Sequence, residues 1–439
     1  MTALPSWRSS RSASPERPIL RWALRPRARG LLLLTVLTSL AAMITGRSIL
    51  YNLTYLLLAL LILSFAWAWS AVRDLEIRRI PRSRRSAVGG FFEETLVLQN
   101  TGFFPKIWLE VRDGSTLPGH RASFVLDNLG RGGKRLWTVR TRCRRRGLYR
   151  LGPLTLIGTD PFGLFEATLQ LTETDEVLVY PPILPIRRLG LPPGFWRERE
   201  SARQRTPEVT PNAGGVREYQ PGDAFHRIHW PSTARRERLM VKEFDHEPAA
   251  EVWIVLDMMA DVHIHRPIRD VEEWLAEKPR LPPPSTEEYA VALAASLAAY
   301  FLRRGRMVGI LAYGSRRLLL SPHRGENQLE RLLEGLALLR AHGEIPFHQA
   351  LQSHALRIAR GSILILITPS GDPRWAMAAR SLVSHGMRVV AIVLETASFG
   401  GPETAPRVLP LLKNAGIPAA VIRAEEPFAF ALERLGSAG

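Results

Sequence analysis

Two apolar runs near the start of the chain, residues 30–46 and about 49–72, carry no internal charge and are separated only by Gly46-Arg47-Ser48. A bilayer core is crossed by about 20 predominantly apolar residues per helix, so the pair predicts a transmembrane α-hairpin with a tight turn. Trp67 and Trp69 stand near the end of the second run, where amphipathic rings favour the membrane interface. A secretory leader would show a single short apolar core and a small-residue cleavage site; the second, longer run argues against it. Arginines flank the pair on its outer sides, Arg8 to Arg29 before it and Arg73 to Arg85 after it, against only Arg47 in the turn. Basic flanks stay cytoplasmic. The expectation is a two-pass cell-membrane protein with both termini cytoplasmic and its basic ends near anionic headgroups of the lipid bilayer.

The net charge of +18 is concentrated at this boundary, so topology accounts for it without nucleic acid. A single cysteine, Cys143, among 439 residues rules out an intrachain disulfide and a thiolate metal cluster. Residues 1–29 read as a basic tail and 30–72 as the hairpin. From 75 to 182, short alternating runs such as Thr95-Leu96-Val97-Leu98 and Ile107-Trp108-Leu109-Glu110-Val111 are divided by turn signals such as Asp113-Gly114 and Asp160-Pro161-Phe162-Gly163, the pattern of an antiparallel β-sandwich. Within it, Arg140-Thr141-Arg142-Cys143-Arg144-Arg145-Arg146 is expected to be a solvated edge strand whose charge blocks further pairing. A contact with phospholipid or an acidic partner is the other reading. Residues 183–213, rich in proline and charge, read as a linker.

Residues 214–250 combine Arg217, Glu218, Tyr219, Gly222, Asp223, Arg227, Trp230 and Arg235 at unusual density. Pro221-Gly222-Asp223 is a turn, and residues 239–244 read as a strand. The arginines can pair bidentately with Glu218, Asp223 and Glu243 as an internal clasp. Alternatively, Trp230 and the arginines anchor a partner. Asp223, His226 and His229 share a helical spacing, but Pro221 and Pro231 leave only a short helix for a metal site.

Arg217-Glu218-Tyr219, Gly222-Asp223, Arg227-Ile228, Trp230 and Ala234-Arg235, with the upstream Arg146-Gly147-Leu148-Tyr149, Leu151-Gly152-Pro153 and 160–165, resemble the family of domain of unknown function number 58. His226 and Pro231 stand where basic residues are common in that family. The resemblance implies a von Willebrand factor A-like C-terminal domain. As partners it implies a MoxR-type AAA+ ATPase and other membrane proteins, including ones with transglutaminase-like domains.

From 251 to 439, apolar strands alternate with helices: strands at 252–257, 307–313, 317–321, 362–368, 387–394 and 419–422, helices at about 287–304 and 326–341. This predicts an α/β, Rossmann-like domain with a mostly parallel sheet. The resemblance implies a cation site at the strand ends built on Asp-x-Ser-x-Ser. Here Asp257 is followed by Met259 and Asp261, and Pro369 stands at the later aspartate position. Methionine and proline offer a hard cation no side-chain oxygen. No resident metal or cofactor is therefore expected, with Asp257, Asp261 and Asp372 the remaining candidates. No nucleophile elbow, phosphate-binding loop or His-Glu-x-x-His motif occurs, so no catalytic residue is assigned. The expected function is a membrane-anchored cytoplasmic scaffold or adaptor that binds protein partners. The alternatives are a metal-dependent hydrolase and a nucleic-acid-binding membrane protein.

Overall fold

The computed structural model describes residues 19–191, 195, 215–220, 225, 228–243, 251–266, 282–355 and 358–435. Within these, the chain forms two compact units, one centred on residues up to Pro182 and one on the remainder.

In the first unit, strand β1 (Ile19–Leu24) precedes helices α1 (Pro26–Thr45) and α2 (Ser48–Val72). Pro26 opens α1, where its missing N–H costs nothing. Gly46 closes the helix in the left-handed region and donates its N–H to the Ala42 carbonyl. Thr54 Oγ1 lies 3.3 Å from Thr38 Oγ1 between the two helices. Both helices are long and apolar enough to cross a membrane. Residues 19–24, inside the segment read as a basic tail, pair antiparallel with β10 (Phe165–Gln170). Arg25 bonds Glu166 at 2.6 Å beside that strand, and Phe65 of α2 packs between Trp22 and Phe165.

A mostly sheet region follows: β2 (Leu75–Pro81), β3 (Arg85–Ala87), β4 (Phe91–Asn100), β5 (Leu109–Asp113), β6 (Phe124–Leu126), β7 (Lys134–Arg142), β8 (Gly147–Leu151), β9 (Leu154–Thr159), β10 and β11 (Asp175–Tyr180). They form sheets ordered β1-β10-β9-β5-β6, β2-β4-β7 and β3-β11-β8. After its exposed first residue, strand β4 alternates strictly between buried and half-buried residues. Its Leu96 and Leu98 meet Leu109, Val111, Leu156 and Ala167 of the five-stranded sheet in one core. The basic run begins on β7, an edge strand of its sheet, but the expected solvated strand ends at Arg142, and Cys143 and Arg146 beyond it are fully buried.

In the second unit, β12 (Gly215–Glu218) and β13 (Met240–Glu243) form a two-stranded ribbon, with the short helix α3 (Trp230–Arg236) between them. The α/β region then holds β14 (Val252–Leu256), α4 (Thr286–Arg303), β15 (Val308–Tyr313), β16 (Arg317–His323), α5 (Glu326–Leu338), α6 (Phe347–Ala355), β17 (Ile363–Thr368), α7 (Pro373–Ser384), β18 (Arg388–Leu394), α8 (Ala405–Asn414), β19 (Ala419–Ile422) and α9 (Phe428–Glu433). The sheet runs β16-β15-β14-β17-β18-β19. All its pairings are parallel except that of β16 with β15. Alternate residues of a strand face opposite sides: Trp253 and Val255 join Phe347, Leu351, Trp375 and Leu412 in one cluster. Helix α4 is buried along nearly its whole length, as expected of a run of Ala, Leu and Val with no charge between Glu288 and Arg303.

Candidate functional site

Strand order reverses between β14 and β17, and in open α/β sheets ligands gather at the carboxyl ends of strands at such a switch point. The side chains following these two strands form one ladder. The Thr368 hydroxyl donates to Asp257 Oδ2 at 2.7 Å, and the Met259 N–H donates to Oδ1 at 3.2 Å. Thr368 Oγ1 accepts the Ser370 N–H at 2.9 Å, and Ser370 Oγ accepts the Asp372 N–H at 3.2 Å. Asp372 caps α7 by accepting the Arg374 N–H at 3.0 Å and pairs with the Arg374 guanidinium at 2.8 Å. Beneath, the fully buried Trp375 donates its indole N–H to the Ser370 carbonyl.

Asp257 is 2% exposed. Burial, together with the nearby charge of Asp372, pushes its carboxyl up to about 6 despite the two hydrogen bonds. Asp372 is also raised by partial burial, but its bonds to Arg374 outweigh this and hold it below its ordinary value. The neighbouring strand end behaves differently. Glu395, after β18, accepts N–H groups from Thr404 at 2.9 Å, Ala405 at 3.0 Å and Ala397 at 3.3 Å. Those bonds overcome its burial and lower its carboxyl.

Of the three candidate acids, Asp257 and Asp372 belong to the ladder, while Asp261 is exposed on a short 3-10 turn. Among the described residues no group of three or more histidine, cysteine or acidic side chains is arranged to hold a metal. Gly343 fills the space beside Met258: its N–H donates to the Met258 carbonyl and its own carbonyl accepts the Ala260 N–H, both at 2.9 Å. A Cβ there would stand 2.1 Å from the Tyr313 carbonyl oxygen, so only glycine permits this approach. His263, not singled out by sequence reasoning, is buried here. Its Nε2 donates to the Asp257 carbonyl at 2.9 Å, and its Nδ1 lies 3.1 Å from Thr286 Oγ1. A lone histidine in a loop gives no signal of such a role. The arrangement can hold a proton on Asp257 and lock the first loop to the sheet.

The second candidate surface is the ribbon. Its register sets Arg217 opposite Val241 and Glu218 opposite Met240, which begins the predicted strand at 240. His229 N–H donates to the Met240 carbonyl at 2.7 Å, and Thr233 Oγ1 accepts the Met240 N–H at 3.0 Å. These bonds fold α3 back onto β13, over the buried Ile228, Met240 and Val241. Trp230 is 65% and Phe225 73% exposed, and Phe225 stacks near Tyr219 at 6.1 Å. Arg235, Arg236 and Arg238 are exposed as well. Glu218 bonds Arg238 at 3.0 Å, an arginine outside the expected clasp, and Arg217 Nη1 bonds the Glu218 carbonyl. Gly222, Asp223, Arg227 and His226 lie outside the described residues, so the proposed turn and the histidine-pair spacing do too. His229 Nδ1 contacts Ser232 Oγ at 2.7 Å.

Residues 215–397 match the family model described as "Protein of unknown function DUF58". The chain is 23% identical to the uncharacterized protein YeaD of Bacillus subtilis over 324 residues, 70% of this chain and 74% of that protein. It is 26% identical over 203 residues to the uncharacterized protein Rv1480 of Mycobacterium tuberculosis, 45% of this chain and 59% of that protein. The family match covers residues 215–397 of the 439 in the chain. Among solved structures, BatB from Bacteroides thetaiotaomicron, a conserved hypothetical protein, aligns with 43% of this chain and 97% of its own at 12% identity and a TM-score of 0.31. That score is too low to bear on the fold.

Proposed function

We propose that this protein is a membrane-anchored scaffold or adaptor that presents the β12–β13 ribbon to a protein partner. The observation that carries the reading is the exposure of Trp230, Arg235 and Arg236 on α3, of Arg238 just before β13, and of Phe225. Tryptophan and arginine dominate the energetics of protein interfaces. The two apolar helices anchor the chain in the bilayer, with both termini in the cytoplasm, as the flanking arginines favour. The sheet region is a β-sandwich in this reading. The α/β region is von Willebrand factor A-like, its cation site replaced by the Asp257 ladder and the Gly343 backbone. The partner is a MoxR-type AAA+ ATPase, an assignment that rests on the family resemblance, and other membrane proteins join the assembly.

Inside-out membrane vesicles carrying the full chain are expected to enrich the ATPase from cytosol, while right-side-out vesicles do not. Phe225→Ala combined with Trp230→Ala should weaken capture at least about tenfold, since each hot-spot aromatic contributes about 2 kcal/mol or more. Equal capture by the folded double variant would remove the ribbon from the interface. Capture by right-side-out vesicles alone would reverse the orientation.

A further inference from the structure

We propose that the loop joining β4 to β5, residues 101–108, is a membrane-interface anchor that seats Phe103, Phe104, Ile107 and Trp108 among the lipid headgroups of the bilayer that α1 and α2 cross. The inference rests on the reading of those two helices as membrane spans. The four side chains are 47–68% exposed. They share one short loop, and Phe103 meets Phe104 edge-on at 5.6 Å between ring centres. The alternating run that begins at Ile107 becomes a strand only at Leu109, which leaves Ile107 and Trp108 outside the sheet. Large apolar side chains grouped in this way mark an interaction surface.

What covers the group follows from where the loop is fastened. Helix α2 ends at Val72, and the loop is tied to its last turn and to the residues just beyond it. The Lys106 ammonium donates to the Ser70 carbonyl, one of the carbonyls that a helix C-terminus leaves without an intrahelical partner. The Thr101 N–H and hydroxyl both donate to the Asp74 carbonyl, at 2.8 and 2.9 Å. Gly102 packs so closely there that a Cβ would stand 2.9 Å from the Asp74 Cβ. The base of the loop is therefore within about one helical turn, about 5 Å, of the level of Trp69. Trp69 is itself exposed and carries the Arg73 guanidinium over its ring at 4.3 Å. Arg131 lies over the Phe103 ring in the same way at 4.8 Å. An aromatic ring topped by a long basic side chain suits a boundary that is apolar on one side and wet on the other, and tryptophan gathers at that level of a bilayer.

The depth is interfacial. Irregular backbone does not face the hydrocarbon, where its polar groups have no partner. The loop meets part of that need internally. Asn100 Oδ1 accepts the Gly102 N–H at 3.0 Å, and Asn100 Nδ2 donates to the Phe104 carbonyl at 2.9 Å. Lys106 exchanges both backbone hydrogen bonds with Leu129, at 2.9 and 2.8 Å. Headgroup water serves the rest. With its base fixed at Asn100, Asp74 and Ser70, the loop presents its side chains at little further cost in ordering. A protein partner would also cover apolar groups, but continuity with Trp69 and the end of α2 favours the bilayer. The insertion is apolar, so neutral lipid suffices.

The test places an environment-sensitive fluorophore on Phe104→Cys in the full chain, reconstituted in phosphatidylcholine vesicles. Spin-labelled phosphatidylcholine, with the label near the headgroup or deep in the acyl chain, serves as quencher. The native Cys143 is buried, and the parent chain taken through the same labelling gives the background. Leu58→Cys, exposed midway along α2, reports the span, and Leu148→Cys, exposed on β8, reports the sheet surface. Phe104 quenched more by the shallow label than by the deep one, with Leu58 quenched by the deep label and Leu148 by neither, supports the anchor. Adding Phe103→Glu and Trp108→Glu should then bring the Phe104 signal down to the Leu148 level, since charge opposes insertion. A quenched Leu58 beside a Phe104 no more quenched than Leu148 overturns the anchor while the hairpin stands, and leaves the loop to a protein. An unquenched Leu58 overturns the hairpin and the anchor with it. Phe104 quenching that the two glutamates leave unchanged means that proximity alone brings the loop to the lipid, and overturns the seating of these side chains.

Discussion

Two strand ends of one sheet treat a buried carboxylate in opposite ways. After β18, Glu395 meets three backbone N–H groups and the Thr404 hydroxyl, and its carboxyl is held below the ordinary value. After β14, Asp257 meets one N–H and one hydroxyl, and its carboxyl rises to about 6. Both are nearly inaccessible, at 8% and 2% exposure. The number of donors contributes to the difference, since enough donors offset the loss of water and too few do not; Asp257 is in addition raised by the charge of Asp372. Glu395 is a structural clamp on the β18–α8 loop. Asp257, at the switch point where a ligand would gather, is left short of donors.

The largest expected effect comes from breaking the clamp. Glu395→Ala strands the N–H groups of Thr404 and Ala405, which are buried where they meet the carboxylate. It should cost about 4 kcal/mol, read as a lowered midpoint in chemical unfolding. The acid has its partners only when ionised, so its contribution is present above the ordinary value of 4.5 and is lost as pH falls through its lower folded value. A cost equal to that of Asp257→Ala would abolish the contrast.

Asp257→Asn should act in the other direction. Its raised carboxyl favours the fold when protonated, so that stability is fully present below 3.8 and is lost as pH rises through about 6. Removing the charge should therefore raise stability at pH 8 by up to about 3 kcal/mol, with no gain at pH 3.5. A flat difference between parent and variant across pH 3.5–8 would mean that the carboxylate is compensated after all. Millimolar magnesium that stabilised the parent and not Asp257→Asn would show that a cation provides the compensation.

How legible these features are depends on how local their causes are. The hairpin follows from composition, because two uncharged runs of that length leave few alternatives, and it closes at Gly46 as the sequence implies. The sheet strands of the α/β region are equally plain: β17 and β18 are unbroken apolar runs buried almost throughout. By contrast, β1 exposes every one of its residues. It exists because β10 pairs with it from across the sequence, which no local pattern records. The short helices α6, α8 and α9, of 9, 10 and 6 residues, fall below the window in which periodicity separates them from loops. At the site, Asp257 is readable from its place at a strand end, and Pro369 and Met259 are readable as poor cation ligands. The recruitment of His263 and the intrusion of Gly343 are not, since each depends on a contact between segments far apart in sequence. The ribbon stands out as a dense motif, but its exposed Phe225 is not among the anchors that the motif suggests.

The smallest effect would sharpen the contrast most. Asp372 caps α7 and pairs with Arg374 on a partly exposed edge, so Asp372→Ala should cost only about 1 kcal/mol. Its consequence for Asp257 is more telling. The negative charge of Asp372 is one of the causes that raise Asp257, after burial itself. Without it, the pH at which the Asp257-dependent stability is lost should move below about 6, while the Glu395-dependent acid limb stays where it is. Comparing the pH profiles of unfolding for Asp372→Ala and for Asp257→Asn/Asp372→Ala isolates that shift. An unmoved Asp257 limb would mean that burial alone sets the proton on the ladder and that Asp372 serves α7 only.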